Sequence, residues 1–202
     1  PKDAKVQLVL DGVTIHSETS AAIYVRQADK VFLTLAAGTE NSLSSGDAYE
    51  AIDDNNIDAA VFSKDTLTIN GAGALTVESP AGHGIAVKGK LKITGGSVHI
   101  TASRHGAAGK NGVYICVGTL DITAGQDGLH AENNEDTTRG MVFISGGSVR
   151  IAADGDGIDA GSTLEITDGD FDIDTGGGSQ NAPAHQEERG GRGWFGWQDS
   201  AG

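Results

Sequence analysis

The sequence is poor in the residues that define several protein classes. It has one cysteine in 202 residues, so no internal disulfide framework can form. It has three prolines and no strict Gly-X-Y period, which excludes collagen despite 31 glycines. No apolar run approaches the roughly 20 residues of a membrane-spanning helix. Basic residues are scarce: 14 Lys and Arg stand against 28 Asp and Glu, for a net charge of −14. A nucleic-acid partner needs a basic face to neutralise phosphates, so that class is set aside. Pro1–Lys5 carries no apolar core of a secretion signal, and the numbering is expected to begin after processing or inside a longer protein. Cys116 is expected in a small buried site and fits either a reducing cytoplasm or a bacterial exterior.

What the sequence does have is self-similarity. Segments opening on a small residue begin at Ala22, Ala60, Gly84, Gly106, Gly128 and Gly157, spaced 38, 24, 22, 22 and 29 residues apart. A second marker has apolar ends and a variable centre: Val31-Phe32-Leu33, Leu67-Thr68-Ile69, Leu91-Lys92-Ile93, Val113-Tyr114-Ile115, Val142-Phe143-Ile144 and Leu164-Glu165-Ile166. A third follows a glycine corner, from Leu75-Thr76-Val77 to Phe171-Asp172-Ile173. Period-two alternation inside each marker indicates strands, and a recurring period of about 22 residues indicates a stacked repeat. The expected fold is all-β: a parallel β-helix, three strands per rung of about 22 residues, stabilised by stacking on its neighbours. It occupies residues 1–175, and residues 176–202, with Trp194, Phe195 and Trp197, read as a Gly-rich tail. Two units exceed the period, which predicts surface loops at Glu40–Ala59 and Glu132–Thr138.

Stacking turns sequence positions into spatial columns. The residue before each anchor glycine reads His83, His105, Asp127, Asp156, which puts Asp127 and Asp156 at one corner with Asp154 and Asp159. Adjacent carboxylates repel unless neutralised. Calcium, which takes several carboxylate oxygens in an irregular cage, is the expected compensation, with a solvated acidic corner as the alternative. Asp53, Asp54 and Asp58, in an insertion that also holds Glu50, Asn55 and Asn56, form a second calcium candidate, or a mobile acidic loop. The six histidines show no zinc spacing, and His83 and His105 read as surface. Tyr114 and Phe143 project side by side from adjacent rungs, where they stack on sugar rings or lie under a terminal segment. Asp121, Arg150 and Asp172 form a structural ladder of alternating charge.

Leu67-Thr68-Ile69-Asn70-Gly71, Asp127-Gly128-Leu129-His130-Ala131-Glu132 and Leu91-Lys92-Ile93-Thr94-Gly95-Gly96 resemble a bacterial cell-surface family of acidic, calcium-containing, right-handed parallel β-helices, usually described as carbohydrate-binding domain-containing proteins. The resemblance runs from about Lys5 to Thr175. It implies a secreted or surface protein, a monomer or part of a larger one, that binds plant cell-wall polysaccharide such as polygalacturonate (pectin) or cellulose in a non-catalytic, calcium-dependent way and without membrane insertion; the alternatives are a pectate-lyase-like enzyme acting by calcium-assisted β-elimination and a structural surface spacer. His130 and Glu132 join Tyr114 and Phe143 as substrate-binding candidates on that basis. The fold also resembles pectate lyases, in particular family nine of the polysaccharide lyases. Asp127, Asp156 and Asp159 match that family's calcium motif, while Gly155 replaces one of its aspartates. No basic residue lies between Asp159 and His185 to supply the proton-abstracting base of a lyase, so no catalytic residue is assigned.

Overall fold

The computed structural model describes residues 2–176. The expected tail, with Trp194, Phe195 and Trp197, lies outside the described residues from position 177 onward. In chain order the strands are β1 (Lys5–Leu10), β2 (Thr14–Ser17), β3 (Ile23–Val25), β4 (Lys30–Leu35), β5 (Glu40–Ser45), β6 (Ala59–Ser63), β7 (Thr66–Gly71), β8 (Ala74–Ser79), β9 (His83–Val87), β10 (Lys90–Ala102), β11 (Ala107–Gly109), β12 (Gly112–Ala124), β13 (Leu129–Ala131), β14 (Met141–Ala153), β15 (Ile158–Ala160) and β16 (Leu164–Thr175). Among the described residues there is no helix.

The strands form two sheets in which each recurring segment pairs with its counterpart in the next repeat. β3, β6, β9, β11, β13 and β15 make a six-stranded sheet in sequence order. The other ten make the second sheet, along the path β1-β4-β7-β10-β12-β14-β16 with β2, β5 and β8 beside it. The pairings are parallel. Parallel pairing at these offsets puts like on like: Leu67 opposes Leu91, Leu91 opposes Val113, and Val113 opposes Val142. These side chains are buried between the sheets with the matching Ile69, Ile93, Ile115 and Ile144. Each fully buried aliphatic stabilises by about 1.5–3 kcal/mol, so these columns form the core.

The expected separation of the second and third segments holds only in the early repeats. From β10 on, both run as one strand: residues Leu91–Ile93 pair with β7 and Ser97–Ala102 pair with β8. The strand bends between these halves at Gly96 (φ 86°), as β14 does at Gly147 (φ 96°). Both angles lie in the left-handed region, which glycine adopts without steric penalty.

Two expectations need correction. Glu40–Ser45 is not loop but β5, paired with β2 and β8. Its inward column is Asn41, Leu43 and Ser45, so apolar patterning does not mark it. Asn41 opposes Leu75 and stays satisfied: it donates to the Ala74 carbonyl (3.0 Å) and accepts from the Val13 N–H (3.0 Å). The insertion proper, residues 46–58, packs on the outside of the six-stranded sheet, where Ile57, Phe62, Ala21 and Ala59 form a second small core flanked by Tyr24 and Tyr49. Cys116 is half-buried in β12 and not in a buried site. The charge ladder keeps its register, with Arg150 on Asp172 (3.3 Å), while Asp121 faces His99 (3.5 Å).

Candidate functional site

The outer face of the six-stranded sheet carries an open groove of about 360 Å³. Its floor is Ala86 and Ala108, paired neighbours whose small side chains leave the space empty. One wall is His83, His105 and His130, and the other is Lys88 and Lys110. Asp58 and Glu132 also line the groove.

The histidine wall is a stack. The His83 and His105 rings lie 4.9 Å apart at 13°, and those of His105 and His130 lie 4.1 Å apart at 3°. The repeat builds it, because His83, His105 and Asp127 each precede an anchor glycine. The His105 N–H donates to His83 Nδ1 and the Asp127 N–H to His105 Nδ1, both at 3.2 Å. Nδ1 is therefore the acceptor in both rings, which puts the proton of each neutral ring on Nε2. Burial, reinforced by the neighbouring His130 and His83, pushes the His105 pKa down to about 4. His83 and His105, expected as a column at the surface, are instead largely buried and stacked. His130 belongs to a different column, two residues after its glycine, yet its ring joins the stack.

Carboxylates flank the stack. Asp127 Oδ2 lies 3.1 Å from His105 Nδ1 and 3.1 Å from His130 Nδ1, and Asp127 Oδ1 accepts the Asp156 N–H at 2.9 Å. Asp159 Oδ2 lies 2.9 Å from His130 Nδ1, and Glu132 Oε2 3.8 Å from His130 Nε2. Asp154 and Asp156 sit on the exposed turn beside them, with no side-chain partner among the described residues. Asp127 and Asp159 therefore meet on one histidine, while Asp154 and Asp156 face solvent.

The second acidic group does not come together. Asp53 accepts the Tyr24 hydroxyl (2.7 Å), the Asn55 N–H (2.9 Å) and the Asn55 side chain (2.6 Å), and pairs with Arg26 (3.1 Å). The Tyr24 hydrogen bond, with the Asn55 N–H, holds its pKa at about 2. Asp58 turns into the groove, 3.5 Å from His83 Nε2 and 3.3 Å from Arg104. Burial pushes Asp58 up, but the His83 hydrogen bond and the charges of His83, Lys88 and Arg104 outweigh it and lower the pKa. Asp54 is exposed. Tyr114 and Phe143 are adjacent as expected, with ring centroids 6.4 Å apart, but they lie on the ten-stranded sheet, away from the groove strands. The ammonium groups of Lys90 and Lys92 lie 5.3 and 5.8 Å from the Tyr114 centroid, where a sugar would have to compete for the ring face.

A family model described as "Carbohydrate-binding domain-containing protein" matches residues 1–195. The chain belongs to that family. A curated relative of the same description from Acetivibrio thermocellus is 40% identical over 178 residues, covering 87% of this chain and 62% of the relative. The chain thus spans less than two thirds of that protein's length. A solved structure of the polysaccharide lyase-like protein from C. thermocellum, a gadolinium derivative, is 40% identical and matches with a TM-score of 0.85 over 88% of this chain and 73% of that one.

Proposed function

We propose that the chain is a right-handed parallel β-helix, three strand segments to a turn, which binds plant cell-wall polysaccharide outside a bacterial cell. The architecture is supported by parallel pairing of successive repeats, because parallel crossovers are right-handed in about 98% of cases. The observation that carries the function is the groove itself. Its small-residue floor and polar walls run across successive repeats, so a long chain can lie along it, and the family description supplies the ligand class.

Calcium remains part of the reading. Asp154, Asp156 and Asp159 lie on one turn with Asp127 one repeat earlier, and the first two lack partners among the described residues; the ligand atoms that converge are those of His105, Asp127 and His130, so the carboxylates would have to close around an ion. Carboxylate oxygens suit a hard cation, and the related C. thermocellum structure is a gadolinium derivative. Calcium there would bridge these carboxylates to those of an acidic polymer. A second reading, β-elimination of a uronate polymer, is favoured by one observation: Lys110 and His130 share the groove although they come from different repeats. An earlier repeat then offers the base that is missing downstream of Asp159.

Retention on insoluble polygalacturonate and cellulose, with and without chelator, tests the main reading. The expected result is retention that a chelator weakens on the acidic polymer and leaves intact on cellulose. No retention on either polymer would overturn it. Unsaturated uronate products, followed by their ultraviolet absorbance, would move the assignment to the lyase reading.

A further inference from the structure

The lysine wall of the groove is part of a longer file. Arg26, Lys64, Lys88 and Lys110 are spaced 38, 24 and 22 residues apart, the spacings of Ala22, Ala60, Gly84 and Gly106. Each follows a strand of the six-stranded sheet: β3, β6, β9 and β11. The backbone keeps them in register, since the Lys64 N–H donates to the Val25 carbonyl (3.0 Å), Lys88 to Ser63 (2.8 Å) and Lys110 to Val87 (2.8 Å). They therefore stand one per repeat, about 4.8 Å apart along the stack.

A file of like charges is destabilising on its own. The Asp121–Arg150–Asp172 file avoids this by alternating sign, and the basic file does not. Its ends are paired, Arg26 with Asp53 (3.1 Å) and Lys110 with Glu135 (2.8 Å). Among the described residues no ion pair engages Lys64 or Lys88, both exposed, although Lys88 also leans over the Phe62 ring at 5.6 Å. In a chain of net charge −14, four of its 14 basic residues are thus gathered in one file, of which Lys88 and Lys110 line the groove and Arg26 and Lys64 line the neighbouring cavity beside Tyr24 and Asp53. The next residue in the file is Glu132, and there the surface turns acidic toward Asp154, Asp156 and Asp159.

We propose that Arg26, Lys64, Lys88 and Lys110 form a metal-free subsite for the carboxylates of a uronate polymer, one cation per repeat from the cavity beside Tyr24 into the groove. This rests on the reading that the groove binds polysaccharide, and it names the acidic class of ligand. The pitch is close to the length of one sugar, so successive carboxylates can meet successive ammonium groups. Each contact is a charge-assisted N–H···O bond, the stronger kind. Beyond Lys110 the same polymer reaches the acidic turn, where a bridging cation takes over.

The test compares the parent with a Lys64→Gln/Lys88→Gln variant, both in chelator. The probes are polygalacturonate and its fully methyl-esterified, neutral form. The parent should bind polygalacturonate in a salt-sensitive way and bind the esterified polymer far less. The variant, altered only at exposed positions and relieved of two like charges, should keep or slightly raise its Tm and bind polygalacturonate roughly tenfold more weakly. Equal polygalacturonate binding by parent and variant would overturn the ladder and leave polysaccharide binding standing. So would binding by the parent that requires calcium entirely. A parent that binds no polysaccharide in calcium or in chelator would overturn both.

Discussion

Asp53 shows how far a single residue's role depends on partners distant in sequence. It lies in an acidic insertion, beside Asp54, and in isolation it looks like a cation ligand. Tyr24, 29 residues earlier, donates its hydroxyl to it, and Arg26 adds a cation. These contacts satisfy the carboxylate without a metal and lower its pKa from 3.8 to about 2. The folded state therefore holds its proton less tightly than the unfolded chain. The stabilisation is complete above about pH 4 and is lost as pH falls toward 2. Asp53→Asn should accordingly flatten the fall of Tm across that window relative to the parent. Superimposable Tm–pH curves would show that the Tyr24–Asp53–Arg26 contacts contribute nothing to folding. The basic file, by contrast, is written in the sequence itself. Lys64, Lys88 and Lys110 keep the beat of the anchor residues Ala60, Gly84 and Gly106.

At the scale of the element, most strands were legible because their inward positions are Leu, Ile and Val at a fixed beat. β5 was not, because Asn41 and Ser45 occupy two of its three inward positions and hydrogen bonds replace apolar contact there. The histidine stack was half legible: the position before the glycine aligns His83 with His105, but ring stacking with His130 is a matter of side-chain direction, which column arithmetic omits. The anchor glycines have a packing reason as well as a periodic one. A Cβ on Gly84, Gly106, Gly128 or Gly157 would overlap the Cγ2 of Ile100, Ile122, Ile151 or Ile173 respectively. Ile122 is fully buried, so it has little room to yield. Gly106→Ala should therefore destabilise the protein by about 1–3 kcal/mol, the range for overpacking a tight core. Urea unfolding reads this directly, and an unchanged midpoint and slope would mean the isoleucine column is looser than the structure has it.

Over the whole molecule, the two sheets present different surfaces. The ten-stranded sheet carries the Tyr114–Phe143 pair and the alternating ladder, whose groups largely engage one another. The six-stranded sheet carries the groove, with a histidine wall, a basic file and an acidic turn whose groups are only partly paired. The net charge of −14 hides this division, because it averages a basic edge with an acidic corner. At the last described repeat the column ends in exposed side chains, Leu164, Ile166, Phe171 and Ile173. The division between sheets makes the central claim separable from every other surface. Ala108 is a half-exposed floor residue between Ala86 and His130, and a Trp there would fill the groove without entering the core. The decisive measurement is the affinity of Ala108→Trp for polygalacturonate in calcium, beside the parent and at matched Tm. The account predicts that the variant folds as the parent does and loses binding. Undiminished affinity with the groove blocked would contradict it and place the polysaccharide on another face.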